Sequence, residues 1–290
     1  MICALAILVT AVVGASPPDI EFVAAAGDNI NGLALGNPQG LAVNPVREEF
    51  LVADALNDRV VIFDTLGRPE FAFDLGPGRH NPFGIAVNSR DEIVIGAMDS
   101  PRLWKFDNAG HFIDEITLPD GVFPGRLIVG RDDEILVVNR AGKEIIAVNE
   151  QGEVTGSYSS KEDDCKPSGV CYLDGELLLI SSEGVAATAF NAGGIILHSF
   201  GEHGRRLQDF SHPTSAITDS EMRLWVVDAF RHHIKRFERD GAFIDVIGKR
   251  GTGPGEFFFP VDLKLTPSGK LAVLEKGQGR LQIFRLKYEK

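Results

Sequence analysis

The chain has 290 residues, of which 44% are apolar and 24% are charged, and its formal net charge at pH 7 is −12. Because phosphate backbones and anionic lipids attract basic surfaces, this acidic balance argues against nucleic acid as a partner and against binding to anionic membranes. Short β-branched and aromatic runs lie between Gly, Pro, Asn and Asp throughout the sequence, and this pattern predicts an all-β chain. Closed all-β folds of this length often form one domain.

The first fifteen residues predict a signal peptide. The stretch MICALAILVTAVVGAS is apolar and uncharged through Gly14, and its apolar run is shorter than the ~20 residues that a membrane-spanning helix requires. Small residues precede the expected cleavage point after Ala15. We therefore expect residues 1–15 to be removed and residues 16–290 to form one domain, secreted or periplasmic, without stable membrane insertion. The alternative is that this segment is a buried N-terminal strand.

Two cysteines, Cys165 and Cys171, follow the predicted signal peptide. An exported chain can join such a pair in a disulfide. Cys171, however, lies in an apolar strand where other repeats have Ala or Ile, and this position favours a buried free thiol. Two cysteines alone fall short of the four ligands of a structural zinc site.

Six similar units follow one another along the chain, at intervals of roughly 40–50 residues. Each unit begins with a Pro that opens an apolar strand, and these residues are Pro38, Pro82, Pro124, Pro167, Pro213 and Pro260. Three further strand-like segments follow in a complete unit, and the turn between the third and fourth ends in Gly, as at Gly67 and Gly110. Repeats of this length with four strands are typical of propeller blades. The sequence therefore predicts a six-bladed β-propeller of four-stranded antiparallel blades.

The last unit lacks its fourth strand, because the chain ends RLQIFRLKYEK at the position of a third strand. The N-terminal stretch DIEFVAAAG, residues 19–27, resembles a displaced fourth strand that ends in Gly. We predict that residues 20–26 pair with the final strand, complete the last blade and close the ring. Such closure removes the open edges that would otherwise pair with other chains.

Several of these features resemble the NHL-repeat family. The stretch GKRGTGPGEFFFPVDLKLTPSGKLAVLEKGQGRLQIF, residues 248–284, is similar to an NHL repeat, as is NPQGLAVNPVREEFLVADALNDRVVIFDTLG, residues 37–67. The resemblance extends over residues 19–290 and is weakest in the third and fourth units. It implies a propeller that serves as an interaction platform. Some members of this group are extracellular lyases or lactonases with a metal near the central channel, so the resemblance implies the activity only loosely.

The propeller topology places the candidate binding residues on one face. The loops between blades and the loops between second and third strands emerge together on that face, which we call the loop face, and loops on a rigid ring are the usual place for binding. Candidates at the channel rim, where the innermost strands begin, are Gln39, Phe83, Arg126 and Asp262. Candidates in the loops between second and third strands are Asp54, Arg59, Arg102, Asn139, Asp228, Arg231, His232, Glu275 and Arg280.

The acidic residues in these loops permit two interpretations. Asp54, Asp228 and Glu275 occupy one repeat position, where a carboxylate can cap turn amides or pair with an Arg five residues later. Alternatively, such a ring of carboxylates could hold Ca²⁺, although Ala97, Asn139 and Ser181 interrupt it in the other units. Five of the seven histidines lie between residues 198 and 233, but without a short metal-ligand spacing. We therefore expect no cofactor, with Ca or Zn as the alternative.

The sequence favours a monomeric, exported binding or scaffold module over an enzyme. We expect a protein, peptide or glycan to bind the loop face, and no nucleic acid partner. The alternative is a metal-dependent lyase or lactonase that acts at the central channel.

Overall fold

The computed structural model describes residues 18–173 and 175–288, so the predicted signal peptide lies outside the described residues. The described chain forms six four-stranded antiparallel sheets. The innermost strands of successive sheets contact each other in a closed cycle, and the last one contacts the first. The predicted six-bladed all-β propeller is confirmed.

Blades 1 to 5 are meanders whose strands follow the sequence order outward from the channel. The strands before blade 4 are, in chain order, β1 (Asp19–Ala26), β2 (Pro38–Asn44), β3 (Glu49–Asp54), β4 (Arg59–Phe63), β5 (Pro69–Asp74), β6 (Pro82–Val87), β7 (Ile93–Ala97), β8 (Arg102–Phe106), β9 (Phe112–Thr117), β10 (Pro124–Val129), β11 (Ile135–Asn139), β12 (Glu144–Val148) and β13 (Val154–Ser159). Blades 4, 5 and 6 contain β14 (Pro167–Leu173), β15 (Glu176–Ser181), β16 (Ala187–Phe190), β17 (Ile196–Phe200), β18 (Pro213–Thr218), β19 (Leu224–Asp228), β20 (His233–Phe237), β21 (Phe243–Ile247), β22 (Pro260–Leu265), β23 (Lys270–Glu275) and β24 (Arg280–Lys287).

Strand β1 is the outermost strand of blade 6, in the order β1-β24-β23-β22. It pairs antiparallel with β24 from Asp19 opposite Lys287 to Ala26 opposite Leu281, with one register shift between Phe22 and Ala24. The ring of Phe22 meets that of Phe284 edge-on, with centroids 5.8 Å apart. The predicted pairing of residues 20–26 with the final strand is therefore present, and it brings the two ends of the propeller domain into one sheet.

The hydrophobic core lies between neighbouring blades rather than along the axis. Between blades 1 and 2, for example, Phe73 packs near Phe106 with ring centroids 5.3 Å apart. Gly110, in the β8–β9 turn, has φ of +79°, and a Cβ there would overlap the Phe73 ring. The turn glycines of the repeat therefore serve both the hairpin and the close approach of adjacent blades.

Cys165 and Cys171 are both buried free thiols. Burial raises the pKa of the Cys171 thiol to about 12. Among the described residues, no helix is both long and apolar enough to span a lipid bilayer.

Candidate functional site

The same irregularity occurs where each innermost strand begins, next to its Pro. In all six blades the register between the first and second strands shifts just after the Pro. Such β-bulges leave a residue unpaired and redirect its side chain. The residues after the six prolines are Gln39, Phe83, Gly125, Ser168, Thr214 and Val261, and all six line one cavity at the loop-face mouth of the channel.

Arg126 closes the channel beneath that cavity. Its guanidinium donates to the carbonyl oxygens of Thr214 (2.8 Å), Gln39 (3.1 Å) and Val261, and its Nη1 lies 2.5 Å from an oxygen of Asp262. These acceptors belong to blades 5, 1 and 6, so one side chain from blade 3 reaches across the axis to three others. Arg126 stands two residues after its Pro, where blades 1, 2 and 4 have Gly.

Asp262 is the buried counter-charge of Arg126 and is fully hydrogen-bonded. It accepts from Ser215 Oγ (2.6 Å) and from the backbone N–H groups of Leu41 and Leu263 (both 2.9 Å). Burial lowers the pKa of Arg126, and the adjacent Asp262 carboxylate opposes that effect. A guanidinium stays protonated in proteins, so Arg126 and Asp262 form a buried ion pair, which we call the channel ion pair.

The cavity above the channel ion pair has a volume of about 820 Å³, and we call it the loop-face cup. Besides the bulge residues, its lining includes Arg126, Arg140, Pro167, Ser182, His212, Phe230, Phe259 and Lys276. Arg140, Ser182 and Lys276 each come one residue after the end of a second strand. Two repeat positions therefore build most of the cup, one just after the Pro of the first strand and one just after the second strand.

Aromatic rings form one wall of the loop-face cup. His212 stacks on Phe230 with centroids 4.3 Å apart and an interplanar angle of 13°. Phe230 meets Phe259 edge-on at 6.2 Å. Phe230 is 57% exposed and Phe259 is 37% exposed, whereas burial lowers the pKa of His212 and so favours its neutral form. Exposed rings of this kind offer large apolar contact area to a ligand.

The acidic residues at the ends of the second strands make hydrogen bonds and ion pairs within the protein rather than facing a ligand. Asp54 accepts the N–H of Gly36 (2.6 Å) and Arg59 Nε (2.7 Å). Glu275 accepts the N–H of Phe258 (2.7 Å) and Arg280 Nε (2.6 Å) in the same way in blade 6. Each carboxylate therefore ties the loop that enters its blade to the blade itself.

In blade 5 a lysine, rather than an arginine, pairs with the carboxylate that holds the entering loop. Asp228 accepts the N–H groups of Ser211 and His212, both at 2.9 Å. His233 stands in the place of the Arg, and the fully buried Lys235 lies 3.1 Å from the Asp228 carboxylate instead. Burial lowers the pKa of Lys235, and its bond to Asp228 opposes this.

The remaining candidates do not line the loop-face cup. The amide of Asn139 donates to Glu144 (2.6 Å), and its oxygen accepts from the N–H of Phe123 (3.2 Å). Arg102 is exposed and pairs with Glu115 at 2.7 Å. Arg231 donates to the carbonyl of Gly204. His232 is buried, and its Nδ1 accepts the N–H of Phe259 at 3.0 Å.

The structure thus brings together Gln39, Phe83 and Arg126 at the cup and places Asp262 beneath them. The exposed residues Arg140, Phe230 and Lys276 lie in loops assigned to this face but were not singled out by sequence. The signal that could have found them is their place in the repeat, because Arg140 and Lys276 come one residue after the capping residue of the second strand and Phe230 comes two residues after it.

A metal site at the loop face, the alternative that the sequence left open, requires several ligand atoms arranged around one ion. Among residues 18–173 and 175–288, no group of three or more His, Cys, Asp and Glu side chains is arranged to hold a metal ion. The carboxylates of Asp54, Asp228 and Glu275 already face backbone amides and cations of their own blades. The described side chains therefore do not fit the carboxylate ring for Ca²⁺ that the sequence left open.

Sequence comparisons agree with the architecture. Residues 212–289 match the family DUF5128, described as a 6-bladed beta-propeller. The human E3 ubiquitin-protein ligase NHLRC1 is 28% identical over 120 residues, which is 41% of this chain and 29% of that protein. The chain thus matches less than a third of that relative's length.

Solved structures with the same fold share little sequence with this chain. A streptogramin B lyase superposes with a TM-score of 0.66 at 13% identity, over 93% of this chain and 98% of that one. A gluconolactonase from Xanthomonas campestris gives 0.66 at 15% identity, over 95% and 99%. A Bacteroides thetaiotaomicron protein of unknown function gives 0.70 at 12% identity, over 93% and 76%. These likenesses show the fold alone, and with the six-bladed ring they identify the chain as a six-bladed β-propeller, part of which is similar to NHLRC1.

Proposed function

We propose that this protein is an exported, monomeric binding module whose loop-face cup receives a peptide segment of a protein partner. The observation that supports this most is the cup itself. Its volume of about 820 Å³ lies within the range of ligand pockets. Arg126 lies at its floor, where it is hydrogen-bonded to carbonyls of three other blades. The floor limits how deeply a peptide segment can enter the cup, and the exposed aromatic rings offer it apolar contacts.

A selection from random dodecapeptides, displayed as messenger-RNA fusions, tests this proposal on the immobilised full chain. Phe230→Ala removes an exposed ring of the cup. Leu56→Ala is the matched control, because Leu56 is 75% exposed at the same repeat position of blade 1 but does not line the cup. We expect selected peptides to bind Leu56→Ala like the wild type and Phe230→Ala at least about fivefold more weakly. Equal binding to Phe230→Ala, or no enriched peptide, would contradict the proposal.

Export is tested separately, by N-terminal sequencing of protein from the medium or periplasm of expressing cells. We expect the sequence to begin at Ser16. Protein that retains Met1 and stays inside the cells would exclude export.

The second candidate function is a lyase or lactonase that acts at the channel. It is favoured by the likeness in fold to the streptogramin B lyase and the gluconolactonase. Elemental analysis of protein purified without a His tag, together with assays of lactone hydrolysis, separates the two candidates. Stoichiometric Ca or Zn with turnover that is lost on chelation would replace the binding module by an enzyme.

A further inference from the structure

The charge inside the loop-face cup is opposite to that of the whole protein. Three residues of its lining are basic, namely Arg126, Arg140 and Lys276, and none of the described residues that line it is Asp or Glu. The chain as a whole has a net charge of −12. A local reversal of charge in a concave site concentrates field lines and attracts ligands of the opposite sign.

Two of these three cations are open to a ligand. Arg126 is buried, and its guanidinium forms an ion pair with Asp262, with Nη1 2.5 Å from a carboxylate oxygen. Arg140 is exposed, donates from Nη1 to the carbonyl of Met98 at 3.0 Å, and lies 5.1 Å from the centroid of the Phe83 ring. Lys276 is exposed, and its ammonium makes no ion pair within the part of the chain that the structure describes. Arg140 and Lys276 therefore set the charge that a ligand meets.

The ring topology places these two cations on opposite sides of the cup. Arg140 follows β11 in blade 3, and Lys276 follows β23 in blade 6, which is three blades away in either direction. Phe83 of blade 2 and Phe230 of blade 5 are likewise opposed. A ligand that crosses the cup meets a cation at each side and aromatic faces between them.

The surroundings of the cup limit the length of an anionic ligand. Exposed or half-exposed carboxylates lie in the neighbouring loops of the same face, including Asp58, Asp99 and Glu183. A long polyanion would pass these groups, and like charges repel. A nucleic acid also gains its affinity from many phosphate contacts, whereas the described lining of this cup offers two exposed cations, Arg140 and Lys276. The site suits a short anion.

From this arrangement we infer that the bound segment is acidic, with two carboxylates that flank an apolar or aromatic side chain. The carboxylates pair with Arg140 and Lys276, and the central side chain lies against Phe83, Phe230 and Phe259. The inference rests on the proposed function, because it specifies the ligand of the same cup. Charge-assisted hydrogen bonds to a carboxylate are stronger than neutral ones, so the two charges dominate selectivity.

The peptide selection gives a separate readout for this inference. We expect the enriched peptides to be acidic and to contain an aromatic or apolar residue between two Asp or Glu residues. The double variant Arg140→Glu plus Lys276→Glu should bind the best synthetic peptide at least tenfold more weakly. The matched control is Arg47→Glu plus Lys270→Glu, which makes the same change in net charge at the turns opposite the loop face and should bind normally. Thermal melts confirm that both double variants are folded.

Several outcomes would overturn the inference. Enriched peptides that are neutral or basic would leave the proposed binding module standing but exclude an acidic segment. Equal loss in the control double variant would mean that the overall charge acts rather than the cup. Tighter binding of a fluorescein-labelled oligothymidylate or oligogalacturonate than of the peptide would replace the peptide by a nucleic acid or a glycan. If no peptide is enriched, the proposed function fails and the inference with it.

Discussion

The two mouths of the central channel are built by the same six strands and differ in chemistry. The loop-face cup contains Arg140, Lys276, aromatic rings and hydroxyl groups. The opposite mouth, a cavity of about 370 Å³, is lined mostly by apolar side chains such as Val43, Val87 and Ile128, with Lys264 as its one charged lining residue among those described. The channel ion pair separates them.

The difference arises from the regularity of the strands. At the opposite mouth the innermost strands keep a regular antiparallel register, so alternate apolar side chains point inward. At the loop face the bulge after each Pro turns carbonyl groups and variable side chains toward the axis. The charged and aromatic side chains of the cup are therefore found where the repeat departs from regular pairing. Each prediction below alters the ring that forms both mouths or one part of it.

The largest effect is expected from loss of the clasp, because both mouths exist only in a closed ring. Deleting residues 18–26 removes the antiparallel pairing of β1 with β24 and exposes the edge of β24. At about 1 kcal/mol per backbone hydrogen bond, together with lost apolar burial, the unfolding free energy should fall by on the order of 5–8 kcal/mol. Urea denaturation measures this, and an unchanged midpoint would mean that β1 contributes nothing to closure.

The second-largest loss of stability is expected when the channel ion pair is broken. Arg126→Met leaves the Asp262 carboxylate buried without its closest cation and removes the guanidinium that donates to the carbonyls of Thr214 and Gln39. The carbonyl of Val261 keeps a donor in the Thr214 hydroxyl, at 2.9 Å. Removing one partner of a buried ion pair costs roughly 3–5 kcal/mol, and Lys264, whose ammonium is 3.7 Å from Asp262, should reduce the loss. The double variant Arg126→Met plus Asp262→Asn should recover part of it. If the double variant is no more stable than Arg126→Met, the buried charge is not the source of the loss.

The repeated fold could be predicted from sequence, but the contacts across the channel could not. The six prolines, the turn glycines and the displaced strand at residues 20–26 are local patterns that recur. Arg126 and Asp262 are 136 residues apart, and only the closed ring brings them together. By contrast, the pairing of Asp54 with Arg59 and of Glu275 with Arg280 was one of the two interpretations that the sequence permitted, because each Arg lies five residues after its carboxylate in the same repeat.

A smaller effect should follow from filling the space between adjacent innermost strands at the loop face. Gly84→Ala would place a methyl group against the carbonyl oxygen of Gly125, nearer than two such atoms can approach. The backbone must shift, and overpacking of this kind costs roughly 1–3 kcal/mol. Gly156→Ala in β13 is the matched control, because its nearest neighbour would lie at an ordinary 3.5 Å. Equal midpoints in urea for the two variants would show that the close approach at Gly84 is not limiting.

The effect that is smallest at neutral pH is expected from protonation at the loop face. Burial lowers the pKa of His233 to about 4, whereas the unfolded chain binds this proton near pH 6.5. Because the folded state resists protonation, the stability is fully present above about pH 6.5 and decreases as the pH falls toward 4. Replacement of His233 by Gln, which does not titrate, should flatten the dependence of the unfolding free energy on pH in this window. An unaltered slope in His233→Gln would assign the acid sensitivity to other groups.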